Sequence, residues 1–310
     1  MLFRSGTFST VTFEGFPANV VPRIEYNATD GDVWLVLAAR NISWDGGAGD
    51  GLWSTAANWS GDVLPGSGDD VLVNAGANVT SATGAVGNVV VGNADGNGSL
   101  NMVSPGSLTA KSLTIGAANN TPGYPNYFYG NGGAITTSND LVIGANGAKI
   151  DGTYTWGDIN VGGALKIGSG YTNTNSTLVL RGATGAINSG SLVVGAGVQL
   201  VFDFIGGTPM RTLNVTNGVT LEAGSRLKIV GNSNLVAGSN PRLINGGAGQ
   251  LIGTFSTVTF EGFPANVVPR IEYNATDGDV WLVLAARNTI WDGGAGDGLW
   301  STAANWSGDV

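Results

Sequence analysis

The chain has 310 residues, 52 of them Gly, with 11% charged side chains, no Cys and no His. Its net charge of −9 argues against nucleic acid, which rewards basic stripes, and against polybasic attachment to an anionic leaflet. Without His or Cys there is no Ser-His-Asp triad, thiol nucleophile, iron–sulfur cluster or ordinary zinc site.

Hydrophobic residues make up 42%, enough for a core. No apolar run approaches the ~18 residues of a membrane-spanning helix. No basic segment followed by an apolar stretch marks a secretion signal within these residues.

In chain order, the first feature is a repeat. Residues 6–41, GTFSTVTFEGFPANVVPRIEYNATDGDVWLVLAARN, recur unchanged as 253–288. Residues 44–63, WDGGAGDGLWSTAANWSGDV, recur as 291–310 at the same offset of 247. Of 58 aligned positions 56 are identical, only Ile42-Ser43 becoming Thr289-Ile290. Such identity points to recent duplication or active homogenisation, since a fold tolerates far more drift. The expected organisation is about one and a quarter units of a tandem array. Residues 1–41 close a preceding unit, 42–288 form one complete unit, and 289–310 begin the next.

Within that unit an opening segment spans 42–70. Short apolar strands ending in Gly then recur: Val89–Gly92, Leu113–Gly116, Leu141–Gly144, Leu165–Gly168 and Leu192–Gly195, with Leu227-Lys228-Ile229 as a later relative. The spacings are 24, 28, 24, 27 and 35 residues. Other short strands, such as 177–180 and 199–204, lie between them, separated by Gly, Asn, Ser and Thr, the usual turn residues. A period in the mid-twenties with two or three strands per period predicts a parallel β-solenoid over 70–250. Leu113, Ile115, Leu141, Ile143, Leu165, Ile167, Leu192 and Val194 are expected to point inward. Residues 253–288 carry longer strands and a hairpin signal at Asp277-Gly278, which predicts an antiparallel β cap over the end of the solenoid.

The residues 44–65, WDGGAGDGLWSTAANWSGDVLP, resemble the opening motif of large bacterial surface proteins with autotransporter-associated β-strand repeats. FEGFPANVVPRIEYNATDGDVWLVL (13–37 and 260–284) is similar to the segment that ends their passenger modules, and the Gly-punctuated strands between are similar too. Together these cover nearly the whole chain. The resemblance implies an all-β fold, a right-handed parallel β-helix, together with secretion and a structural or adhesive role at the cell surface.

Few constellations suggest chemistry. Asp45, Asp50, Asp69 and Asp70 are weak calcium candidates, because hard cations take oxygens from carboxylates in flexible loops; turn aspartates bonding their own backbone are the alternative. No other cofactor is expected. Trp44, Trp53 and Trp59, repeated as Trp291, Trp300 and Trp306, read as a buried aromatic plug at the unit junction rather than a sugar-stacking row. The cap and the opening segment are expected to touch through them. DGTYTWGD, with Asp151, Tyr154, Trp156 and Asp158, is the only carboxylate cluster that fits polysaccharide cleavage; Lys166 and Arg181 stand isolated. TPGYPNYFYGNGG, with Tyr124, Tyr127, Phe128 and Tyr129, reads as a protruding loop that binds a partner or packs on itself. Ten Asn-x-Ser/Thr sequons, Asn58, Asn78, Asn97, Asn119, Asn175 and Asn214 among them, read as turn residues.

Two functions fit this reading. The first is a non-enzymatic segment of an extracellular bacterial fibre or stalk. Its partners are neighbouring copies of itself, head to tail, with adhesion to glycans or cell surfaces fitting the same architecture. The second is a polysaccharide-binding or polysaccharide-cleaving β-helix.

Overall fold

The computed structural model describes residues 7–17, 20–27, 29–93, 95–117, 126–144, 150–155 (backbone alone), 157–168, 177–181, 185–204, 212–247 and 249–307. Tyr124, Trp156, Asn119 and Asn175 lie outside the described residues. The described chain is built of β-strands, with 3₁₀ turns at Ala56–Asn58 and Ala303–Asn305.

Parallel coils stack into a β-solenoid of about seven turns. One side is an eight-stranded sheet. It runs in chain order from Gly76–Val79 through Ser99–Val103, Asn126–Asn131, Ile150–Thr155, Thr177–Arg181, Gln199–Asp203 and Arg226–Val230 to Thr257–Glu261. The larger sheet supplies two further sides. Its long strand Ser107–Ile115 pairs with Ala134–Thr137 along residues 107–110 and with Leu141–Ile143 along residues 113–115. Each such coil therefore carries three strand segments around a narrow interior.

Alternation along each strand decides what fills that interior. Val71, Val89, Leu113, Leu141, Leu165, Leu192 and Val219 stand directly over one another. Val73, Val91, Ile115, Ile143, Ile167, Val194 and Leu221 form the next column. All are buried, including the eight residues expected to point inward. Gly92, Gly116, Gly144 and Gly168 end these strands at φ of 70°, 70°, 78° and 66°, a conformation that costs glycine least. The amides of Gly116, Gly144 and Gly168 each donate to a carbonyl of the adjacent coil, 2.7 Å away.

One register differs from the sequence reading. Leu227-Lys228-Ile229 does not continue the Gly-punctuated column; it belongs to the eight-stranded sheet, under Leu200 and Phe202. The next rung is Val219–Leu221, 27 residues after Leu192, which keeps the mid-twenties period. Glu222 follows it in place of Gly, which hid it.

Polar groups also stack. Asn188 donates to Asn160 at 2.8 Å, Asn214 to Asn188 at 3.1 Å and Asn245 to Asn214 at 3.3 Å, a side-chain amide ladder along the stack axis. Lys166 pairs with Asp140 at 2.6 Å, Arg181 with Asp203 at 2.7 Å and Lys228 with Glu261 at 2.8 Å. Lys166 and Arg181 are thus held by ion pairs between coils.

The stack is closed at its C-terminal end by an antiparallel hairpin, Val267–Asn274 and Asp279–Ala286, whose second strand pairs antiparallel with Arg242–Asn245. At the N-terminal end Asn41–Ser43 pairs in parallel with Asp70–Val73.

Leu141→Ala should cost about 2–5 kcal/mol, while Val142→Ala, on the half-buried outer face of the same strand, should cost about 1 kcal/mol or less. Urea denaturation of the two variants checks this, and similar losses would contradict the inward column.

Candidate assembly surfaces at the solenoid ends

The opening motif folds around one carboxylate. Asp50 Oδ1 accepts from the Leu52 amide at 2.9 Å and from Asn58 Nδ2 at 2.5 Å, and Oδ2 accepts from the Thr55 hydroxyl at 2.6 Å. Asn58 in turn accepts from the Ala48 amide and donates to the Leu52 carbonyl, both at 3.0 Å. This pins the Gly-rich loop 46–49 to the 3₁₀ turn. Trp59 then donates its indole N–H to the Trp53 carbonyl at 2.8 Å. Its ring meets Trp44 and Trp53 edge to face, centroids 4.9 and 4.6 Å apart, the geometry favoured by aromatic quadrupoles.

The second copy rebuilds the same device. Asp297 accepts from Leu299, Thr302 and Asn305, and Trp306 donates to the Trp300 carbonyl at 2.8 Å. The loop shape is therefore local. Burial is not. Trp53 and Trp59 are 5% and 0% exposed, whereas Trp300 is 77% exposed. In the first copy the loop lies over the first coil: Trp53 N–H donates to Asn78 O, Asn78 N–H to Gly51 O and Trp44 N–H to Leu72 O. Ile42, Val71, Val73, Ala77 and Val79 complete that core. Around the second copy no coil packs behind the loop among the described residues, and a hollow lined by Thr289, Trp300, Ser301, Ala303 and Trp306 lies open there. The coil that follows is what buries Trp44, Trp53 and Trp59. The cap that precedes Trp291, Trp300 and Trp306 does not, so the expected cap-to-opener contact is not the source of their burial.

Arg40 fastens the join. Its guanidinium forks onto Asp69, Nε to Oδ1 at 3.0 Å and Nη2 to Oδ2 at 2.6 Å. Asp69 is fully buried and also accepts from the Gly66 amide at 2.7 Å. The partnership raises the Arg40 pKa above its ordinary value. The chain leaving one hairpin is thus tied to the first coil that follows.

The two cap hairpins show the same contrast. In the C-terminal copy Val280, Leu282 and Leu284 are buried on the last coil, and the Arg242 guanidinium lies 4.6 Å from the centre of the Trp281 ring. Asp279 accepts from the Gly246 amide at 3.1 Å. In the N-terminal copy Val20–Tyr26 and Val33–Ala39 pair in the same register, yet form a two-stranded sheet of their own. There Leu35 and Leu37 are 51% and 56% exposed, against 0% and 1% for Leu282 and Leu284.

The remaining candidates fall elsewhere. Asp45 accepts from Gly47 and Asp70 from Asn88, and no group of three or more acidic residues suited to a metal occurs among the described residues. Asp45, Asp50, Asp69 and Asp70 thus point at protein N–H and O–H donors rather than at a common centre. Asp158 accepts from the Ala186 amide at 2.7 Å. Residues 126–131 are not a protruding loop but a strand of the eight-stranded sheet. There Phe128 is buried in the core, while Tyr127 and Tyr129 stack outside, centroids 5.7 Å apart and 16° from parallel. The sequon residue Asn58 is fully buried and Asn214 sits in the amide ladder. Arg40, Thr55 and Arg242 hold these ends together and carry no motif of their own. The repeated spacing Asp-x4-Thr-x2-Asn is a visible signal for the first loop's network; Arg40 and Arg242 give none, because the carboxylates they pair with, Asp69 and Asp279, lie 29 and 37 residues away.

Compared with protein-family models, curated proteins and solved structures, the chain matches none.

Two outcomes follow. Leu282→Ala should destabilise the C-terminal end by about 2–5 kcal/mol, whereas Leu35→Ala should change stability by less than about 0.5 kcal/mol; hydrogen exchange resolves the two ends. Hydrogen bonds from Thr55, Leu52 and Asn58 hold the Asp50 carboxyl below its ordinary pKa, and Thr302, Leu299 and Asn305 do so for Asp297. A lowered folded value contributes stability that is present above about pH 3.9 and is lost as pH falls through the folded value. The Leu52 and Leu299 amide shifts should titrate together in that acid range by NMR. Asp50→Asn should abolish the Leu52 transition and leave that of Leu299; persistence of both would contradict the network.

Proposed function

We propose that the chain is a segment of an extracellular bacterial fibre or stalk made of tandem, near-identical solenoid units joined end to end. The observation that carries this reading is the pair of contexts. The hairpin sequence bare at one end is seated on a coil at the other, and the opening loop bare at one end is covered by a coil at the other. Each exposed face has its fitting partner within the same molecule. A contact of this kind is heterologous and does not close on itself, so it generates an open filament. The similarity to surface proteins with autotransporter-associated repeats supports the extracellular setting. Catalysis is no part of the proposal, and no cofactor is invoked.

Adhesion along the shaft is a compatible second role. Tyr127 and Tyr129, stacked on each other on the outside of the solenoid, are the aromatic side chains that a sugar ring would meet there.

The test is electron microscopy of a chain extended to three repeats. Straight rods with an axial repeat of about 35 Å or more, set by the seven or so coils at ~4.8 Å each, are expected. Trp53→Ala with Trp59→Ala at each internal junction should make the rods bend at that spacing. Beads on flexible strings in the parent chain would overturn the stiff-fibre reading.

A further inference from the structure

We propose that the Asn217–Gly218 peptide is a site of spontaneous self-modification, at which water converts the asparagine amide to an isoaspartate or aspartate carboxylate. Five Asn-Gly pairs occur in the chain, at Asn97, Asn131, Asn146, Asn217 and Asn245; Asn146 lies outside the described residues. Glycine after asparagine leaves the attacking amide without a shielding side chain, so composition alone makes the five equivalent. The fold does not. At Asn245 the side chain accepts from Arg242 Nη1 at 2.7 Å and donates to Asn214 at 3.3 Å, and the Gly246 amide donates to Asp279 at 3.1 Å. At Asn97 the Gly98 amide donates to the buried Asn126 side chain at 2.9 Å. Asn131 is a strand residue paired with Val103 and Thr155, and its carbonyl accepts from the Ser104 amide at 3.0 Å.

Asn217 is exposed, in the bend between Leu213–Val215 and Val219–Leu221. The backbone is anchored on either side of it: the Asn217 amide donates to Gly190 O at 2.6 Å, and Gly218 O accepts from the Leu192 amide at 3.0 Å. Between these anchors the peptide unit is free. Among the described residues neither the Asn217 side chain, nor its carbonyl, nor the Gly218 N–H has a hydrogen-bond partner. Turning the Gly218 nitrogen toward Asn217 Cγ therefore breaks no hydrogen bond of that unit. Gly218 itself sits at φ of 134°, a conformation that costs glycine least. The nitrogen, losing its proton to solvent base, attacks Cγ. The N–Cγ bond forms, the Cγ–Nδ2 bond breaks and ammonia leaves, giving a cyclic succinimide. Water then opens the ring. Cleavage of N–Cγ yields aspartate, and cleavage of the bond to the main-chain carbonyl carbon yields isoaspartate, whose backbone runs through Cγ. No oxidant or cofactor enters, and the corner gains a negative charge.

The reaction needs no end-to-end joining and proceeds or fails independently of it. The test ages the full chain, folded and guanidinium-denatured, side by side in mildly alkaline buffer. Each Asn-Gly peptide is then followed by mass spectrometry, which separates isoaspartate from aspartate and from unreacted asparagine. In the folded chain Asn217 should convert within about tenfold of its denatured rate, because no local opening has to precede the attack. Asn97 and Asn245, whose groups must first leave their hydrogen bonds, should be slowed by about a further tenfold or more. The comparison of folded with denatured chain removes differences in intrinsic reactivity between the sites, so no variant has to fold. A folded-state slowing at Asn217 as large as that at Asn245 or Asn97, or no conversion at Asn217 while the denatured chain converts, would overturn the proposal.

Discussion

A parallel stack of coils satisfies every backbone group in its middle and none at its ends. Each terminal coil presents a row of unpaired N–H and C=O groups and a slice of open apolar core, a template for uncontrolled pairing. Solenoids must therefore spend sequence on their ends. Here the two ends are closed differently, and both closures use residues from the duplicated block. The N-terminal end takes a parallel rung, Asn41–Ser43, and a tryptophan-bearing loop folded over the first coil. The C-terminal end takes an antiparallel hairpin. A reversed strand offers side chains to the last coil while its partner strand, rather than another coil, occupies its far edge.

Between the ends the structure is repetitive because the constraint is repetitive. Each inward position sits on the equivalent position one coil away, so column-wise similarity in size is enough for packing. Val, Leu and Ile satisfy it in the larger sheet. Polar side chains follow the same axis, as the amide ladder from Asn160 to Asn245 shows. Outward charges are met by opposite charges one coil away, as in Lys166 with Asp140. Exposed pairs of this kind contribute little each; their effect is to avoid like-charge columns.

How much of this the amino-acid sequence reveals depends on whether the determining contact is periodic. The inward column is legible because Leu-x-Ile-Gly repeats, and the antiparallel hairpin because Asp277-Gly278 separates two long strands; the cap expected over 253–288 is shorter, because Thr257–Glu261 is the last parallel rung of the eight-stranded sheet. The rung at Val219 is hidden because Glu222 replaces the corner glycine, and Leu227, which resembles the column, lies in the other sheet. Tyr127 and Tyr129 read as a loop because the sequence around them is rich in Pro and Gly, while what makes 126–131 a strand is its pairing with neighbouring coils. The carboxylates were legible as turn residues but not as latches. Asp69 takes its meaning from Arg40 and Asp50 from Asn58, partners set by tertiary geometry or by a local network that has no general signature.

The duplicated block separates two contributions that are usually inseparable. Its sequence occurs twice with different neighbours, so whatever persists is local and whatever changes is tertiary. The hydrogen bonds of Asp50 persist at Asp297, and so does the indole bond of Trp59 at Trp306. The strand register of the hairpin persists as well. What changes is the fate of the apolar faces: Leu282 is buried and Leu35 is not, Trp53 is buried and Trp300 is not. The block thus arrives pre-shaped at each end, and the conformational entropy of ordering it is spent before docking rather than during it. In the end-to-end arrangement proposed above, the partner coil would then supply only apolar area and a few directional contacts, the Arg40–Asp69 fork and the Arg242–Trp281 stack. A drifted copy of either face would meet a mismatched coil.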